Sequence, residues 1–193
     1  MDSTAAFFAA SKGKSQDIIL KNDKLQLTVS TKGGTVTKAV IKGFKDRKGN
    51  KDVTLFEGKD QKLAFMFEGK TENINTAELF FIPKNITDTT VTLVAEAGAG
   101  KGLELKYHLG KNYLLHTQLR MTGMGGLFSP SCKTMDIEWS EMCRQQEKGF
   151  TFENRYASLT WHNAEGGTDY LSETSEKVDE PIEETTDWIA FKN

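Results

Sequence analysis

Three histidines, two cysteines and one glycine-rich lysine loop are the residues of this 193-residue chain with the types that chemistry needs. His162 follows Trp161 and precedes Glu165 by three positions, and a His–Glu pair that met in space would suit general acid–base work on a sugar. The simpler reading is an exposed histidine at a strand end. His108 and His116 flank a turn at 110–112. In a simple hairpin His108 faces about residue 114 and His116 about residue 106, so the two are diagonal neighbours. No Cys, Asp or Glu at zinc spacing completes a set around them.

Other stretches are weaker. Residues 97–102, "AGAGKG", resemble a phosphate loop only on the surface: Lys101 is followed by Gly102 rather than Ser or Thr, and another strand pattern follows instead of a helix. Cys132 and Cys143 stand eleven positions apart in a largely extended segment. At ~3.3 Å per residue that separation exceeds ~30 Å, so free thiols are expected, and only a bend in the segment would permit a bridge. Residues 173–187 hold seven acids and one lysine, but lack the spacing of a calcium loop and read as a solvated connector. Pro181 suits the first turn of a short helix there. No G-x-S-x-G or H-E-x-x-H is present. The sequence therefore assigns no catalytic, cofactor-binding or metal-binding residue.

The elements that would position these groups are strands. Leu25, Leu27 and Val29 alternate with Gln26, Thr28 and Ser30, giving one apolar and one polar face. Gly33 and Gly34 supply the positive φ of a tight, turn-forming pair before "TVTKAVIKGF" returns. The same period of two recurs through Leu63, Phe65 and Phe67, through "GLELKYHLG", and through Tyr113, Leu115, Leu119 and Met121. It continues with Met135, Ile137 and Trp139 expected inward, and with Ala157, Leu159 and Trp161 on one face. Turn signals come at roughly 8–12-residue spacing, and no segment of helical period is long enough to matter. The expected architecture is an antiparallel all-β sandwich of some ten to fourteen strands, with at most short helices. Residues 1–16 are expected to be a flexible leader or linker before a domain spanning 17–193.

Composition agrees. With 25 basic and 27 acidic residues the chain has no basic footprint for nucleic acid. Its longest apolar run, residues 5–10, is far short of a membrane span.

Particular wording carries a resemblance. "LQLTVSTKGGTVTKAVI", "KGFTFENRYASLTWHN", "GGTDYLSE" and the terminal "DWIAFKN" resemble the large periplasmic domain of the YidC membrane protein insertases, in their Bacteroides-type form. The resemblance runs from about Asp17 to Asn193. It implies a β-supersandwich similar to galactose mutarotase, standing on the periplasmic face of the bacterial inner membrane between the first two transmembrane helices of a larger protein. It further implies a non-catalytic, monomeric domain without cofactors, supporting insertion through contacts with the Sec translocon, its SecD–SecF accessory proteins and membrane protein clients. Trp188, Ile189 and Phe191 would then mark the membrane-proximal terminus, where Trp suits the headgroup level. The competing reading, from fold analogy alone, is a carbohydrate-binding or carbohydrate-active sandwich.

Overall fold

The computed structural model describes residues 5–176 and 179–192, and among these the period-two runs become fourteen strands, every pairing antiparallel. β1 (Asp17–Lys21), β2 (Leu25–Ser30), β3 (Val36–Lys45) and β4 (Asp52–Glu57) form one sheet in chain order. β5 (Gln61–Phe67) pairs with the two-residue β6 (Ile74–Asn75). β7 (Ile82–Lys84), β8 (Thr90–Glu96), β9 (Gly102–Leu109) and β10 (Leu115–Thr122) make a second four-stranded sheet. β11 (Asp136–Glu141) returns to the free edge of β5. A seven-residue helix, α1 (Phe150–Tyr156), leads into the last sheet, where β12 (Ser158–Asn163) lies between β13 (Thr168–Ser172) and β14 (Thr186–Lys192).

The core follows from the alternation. Leu20, Leu25, Leu27 and Val29 of the first sheet share one buried cluster with Val91, Leu93, Leu103 and Leu105 of the second. Each such side chain contributes about 1.5–3 kcal/mol on leaving water. Tyr107 sits among them, and its hydroxyl donates 2.5 Å to the Gly34 carbonyl.

That bond reaches into the β2–β3 connection, which is a four-residue loop rather than a two-residue turn. Ser30 N–H donates to the Thr35 carbonyl, leaving residues 31–34 outside the ladder. Gly33 and Gly34 both take positive φ, at +76° and +62°. The loop is stitched to the neighbouring chain by Gly33 N–H to Leu79 O and Phe81 N–H to Thr31 O, each 2.8 Å.

Four expectations change. The segment expected to be a flexible leader packs on the sandwich over its described part: Phe7 is 1% exposed, and the Ala10 carbonyl accepts the Phe80 N–H. One phenylalanine of the Phe7–Phe8 pair supplies an anchor that small polar neighbours concealed. Met135, Ile137 and Trp139, expected inward, are exposed: Ile137 and Trp139 lie on β11, an edge strand paired only with β5, and Met135 precedes it. Tyr113 and Met121 are exposed too; Tyr113 falls in the loop before β10. No helix forms after Pro181 among the described residues, where the chain runs irregularly into β14. So short a segment cannot repay helix nucleation.

Candidate functional site

The β9–β10 ladder brings His108 and His116 directly opposite each other, with ring centroids 5.9 Å apart and planes 23° from parallel. They are a cross-strand pair rather than diagonal neighbours, because the connection spans residues 110–114 and shifts the register. Asn22 from the β1–β2 turn fixes that loop, its side-chain amide donating to the carbonyls of Gly110 (2.6 Å) and Asn112 (2.7 Å). Two imidazoles are an incomplete metal set. Among the described residues no group of three or more His, Cys, Asp or Glu is placed to hold an ion.

His162 finds a partner other than the one nearest in sequence. β12 pairs with β14 so that His162 faces Trp188, and the two rings stack at 5.8 Å. Its Nδ1 lies 3.1 Å from Asp187 Oδ2, so the carboxylate beside it comes from the neighbouring strand and not from Glu165. The pair lies at the surface, with the His162 side chain 32% exposed and that of Asp187 51% exposed. The loop at 98–101 joins β8 to β9 as a hairpin connection, Gly98 and Gly100 taking positive φ, and no helix follows to receive a phosphate.

One concavity was not visible in the sequence. It is an open cleft of about 670 Å³ between the end of β11, α1 and the last sheet, with Glu141, Cys143, Phe150, Leu159, Leu171 and Phe191 among its walls. Trp139 meets Phe191 edge-on at 4.7 Å, which holds β11 and β14 together. Glu153 is buried beside it, its carboxylate accepting the backbone N–H of Gln146 (2.6 Å) and of Glu147 (3.2 Å). This acid therefore pins the chain entering α1. Burial, with the Asp60 charge adding to it, pushes the Glu141 carboxyl above its ordinary range. Burial likewise pushes the Cys143 thiol up, helped by Glu141 and Glu173. A raised thiol is a poor nucleophile at neutral pH. Both cysteines are free, as their spacing led us to expect. The cleft thus offers apolar walls, carboxylates and a thiol raised above its ordinary range. The sequence signal that could have located it is "GFTFENRY", whose helix follows Gly149 and turns Glu153 inward.

Of the terminal residues, Phe191 is half-buried against Trp139, whereas Trp188 and Ile189 are each 45% exposed. Ile189 stays exposed although its cross-strand partner on β12 is the buried Trp161. No helix among the described residues is long and apolar enough to cross a membrane.

Comparison with known proteins bears on most of the chain. The family description "YidC periplasmic domain" matches residues 17–193. The membrane protein insertase YidC of Phocaeicola vulgatus is 41% identical over 194 aligned positions, covering 100% of this chain and 31% of that protein. That of Bacteroides fragilis is 37% identical with the same coverage, and that of Porphyromonas gingivalis is 28% identical over 186 positions. The chain thus spans about a third of the length of these relatives. No solved structure matches it.

Proposed function

The chain belongs to the YidC periplasmic domain family, and from that premise we propose that it serves a membrane protein insertase as a non-catalytic domain on the periplasmic side of the inner membrane. It supports insertion and folding of membrane protein clients by binding proteins, with the Sec translocon and its SecD–SecF accessory subunits as the expected neighbours. The observation that carries this reading is the match over residues 17–193, joined to relatives named as insertases. The geometry supports contact in two ways. Exposed apolar side chains gather around β11, α1 and β14, and apolar groups including Phe150, Leu159, Leu171 and Phe191 wall the cleft between them. Trp188, Ile189 and Phe191 lie in the final strand, and we take this strand as the membrane-proximal end of the domain.

The carbohydrate reading required His162 and a glutamate within hydrogen-bond distance, whereas His162 is paired with Asp187 and stacked on Trp188. Photo-crosslinkers at Trp139, Phe150 and Leu171 of the full-length parent, activated during client insertion, test the proposal. Crosslinks to translocon accessory subunits or nascent clients are expected. Their absence, together with aldose turnover that His162→Ala abolishes, would overturn it.

A further inference from the structure

Three neighbouring turns at one end of the sandwich concentrate positive charge around apolar side chains that the fold leaves in water. The β3–β4 hairpin reads "KGFKDRKGNKD" from 42 to 52, five basic residues against Asp46 and Asp52. Its pairing shifts register between Ile41 and Lys45, and Gly43 within that stretch has φ +83°. The bulge turns Phe44 outward, 60% exposed, although a phenylalanine in a strand ordinarily packs. Asp46 is spent inside the turn, accepting the Asn50 N–H at 3.0 Å, and Asp52 pairs with Lys45 at 2.9 Å. Among the described residues, Lys48 and Lys51 form no salt bridge.

The β1–β2 turn is bonded to this hairpin and in turn to the 110–114 loop. Lys42 Nζ donates to the Asn22 carbonyl (2.6 Å), and Asn22 in turn holds the 110–114 loop. That loop presents Leu114 at 58% exposure and Tyr113 at 46%, with Lys111 between the two strands' ends and the Lys24 ammonium 5.4 Å from the Tyr113 ring centroid. Asp23 is the acid within the β1–β2 turn. Arg47 at the hairpin tip donates to the Gln145 side chain, which borders the same cleft as Phe191 and Lys192.

We propose that this end, formed by Phe44 and the 42–51 lysines with Tyr113 and Leu114, docks on an anionic phospholipid surface. Lysines flanking protruding aromatic and aliphatic side chains are the complement of a layer of phosphates over acyl chains. The ammonium groups are drawn to the negative surface, and the apolar tips enter the headgroup boundary. An acidic protein surface would satisfy the charges but offers no apolar layer for Phe44, Tyr113 and Leu114 to enter. The proposal rests on the reading that the domain stands beside a membrane, but its test needs only this chain.

Flotation of the chain with vesicles of phosphatidylglycerol and phosphatidylethanolamine, against vesicles of phosphatidylcholine alone, measures the contact. We expect recovery only on the anionic vesicles, lost in ~1 M salt, where the Debye length falls to ~3 Å. Lys48→Glu with Lys51→Glu should weaken binding by about tenfold or more, each charge acting near the surface. Phe44→Ser with Leu114→Ser should weaken it while leaving the salt dependence in place. A charge-matched control, Lys101→Glu with Arg120→Glu, lies at the opposite end of the β9–β10 ladder and should bind as the unmodified chain does. Unchanged circular dichroism shows that each variant is folded. Equal recovery on both kinds of vesicle, or tip variants that float like the control, would overturn the proposal. A failure here would leave the crosslinking result for the insertase reading untouched, and the reverse also holds.

Discussion

Replacing either glycine of the β2–β3 loop by alanine should separate backbone strain from packing. Both residues occupy the left-handed region, so each alanine incurs about 1 kcal/mol from that source. Their surroundings differ. A Cβ on Gly33 would meet its nearest neighbour, the Ala77 Cα, at 3.5 Å, an ordinary contact. A Cβ on Gly34 would fall 2.7 Å from Leu105 Cδ1 and 3.1 Å from the Phe81 ring. Both neighbours are buried, so neither can swing into solvent. Overpacking of this kind costs about 1–3 kcal/mol. Displacing the loop to relieve it would stretch the Tyr107 hydrogen bond to the Gly34 carbonyl, worth about 1 kcal/mol. Gly33→Ala should therefore destabilise by about 1 kcal/mol and Gly34→Ala by about 3, with Gly34→Val worse again. In urea, with a slope of about 2 kcal/mol per molar, the midpoints should fall by about 0.5 M and about 1.5 M. Equal shifts for the two alanine variants would refute the packing argument and leave only the turn's φ requirement.

Other consequences are checkable on the same chain. Burial holds the Tyr107 phenol un-ionised far into alkali, so its folded pKa is raised above the unfolded value. Its contribution is then complete below about pH 10 and is lost as pH rises beyond that, and Tyr107→Phe should flatten the alkaline limb of stability while costing about 1–3 kcal/mol at neutral pH. Phe7→Ala should cost about 3–5 kcal/mol in a urea melt, whereas a leader that merely trails would cost nothing. Cys143 should alkylate at pH 7 more slowly than free cysteine, because burial and two nearby carboxylates raise its thiol; a faster rate would contradict the placement of Glu141 and Glu173 beside it.

Period two made the fold class legible, because alternating runs such as Leu25, Leu27 and Val29 state which face is buried whatever the partner strand is. It could not tell a core face from one left open at a sheet edge. Ile137 and Trp139 alternate as cleanly as Leu103 and Leu105, yet β11 sits at an edge and β9 at a centre. Histidine pairings failed for a related reason. A five-residue loop at 110–114 set the His108–His116 register, and a strand twenty-five positions away supplied the carboxylate for His162. Phe44 reads as a strand aromatic until the Gly43 bulge is seen to turn it outward. The family was legible from wording alone, since the quoted stretches lie within the matched span.

We propose that the end of β14 holds this domain beside a membrane. Fluorescent labels on single cysteines at Lys192, in the last strand, and at Gly100, in the β8–β9 turn, would report it in the full-length parent with native cysteines replaced. Quenchers attached to lipid headgroups should dim the Lys192 label strongly and leave the Gly100 label bright. Equal quenching at the two sites, or stronger quenching at Gly100, would contradict the placement.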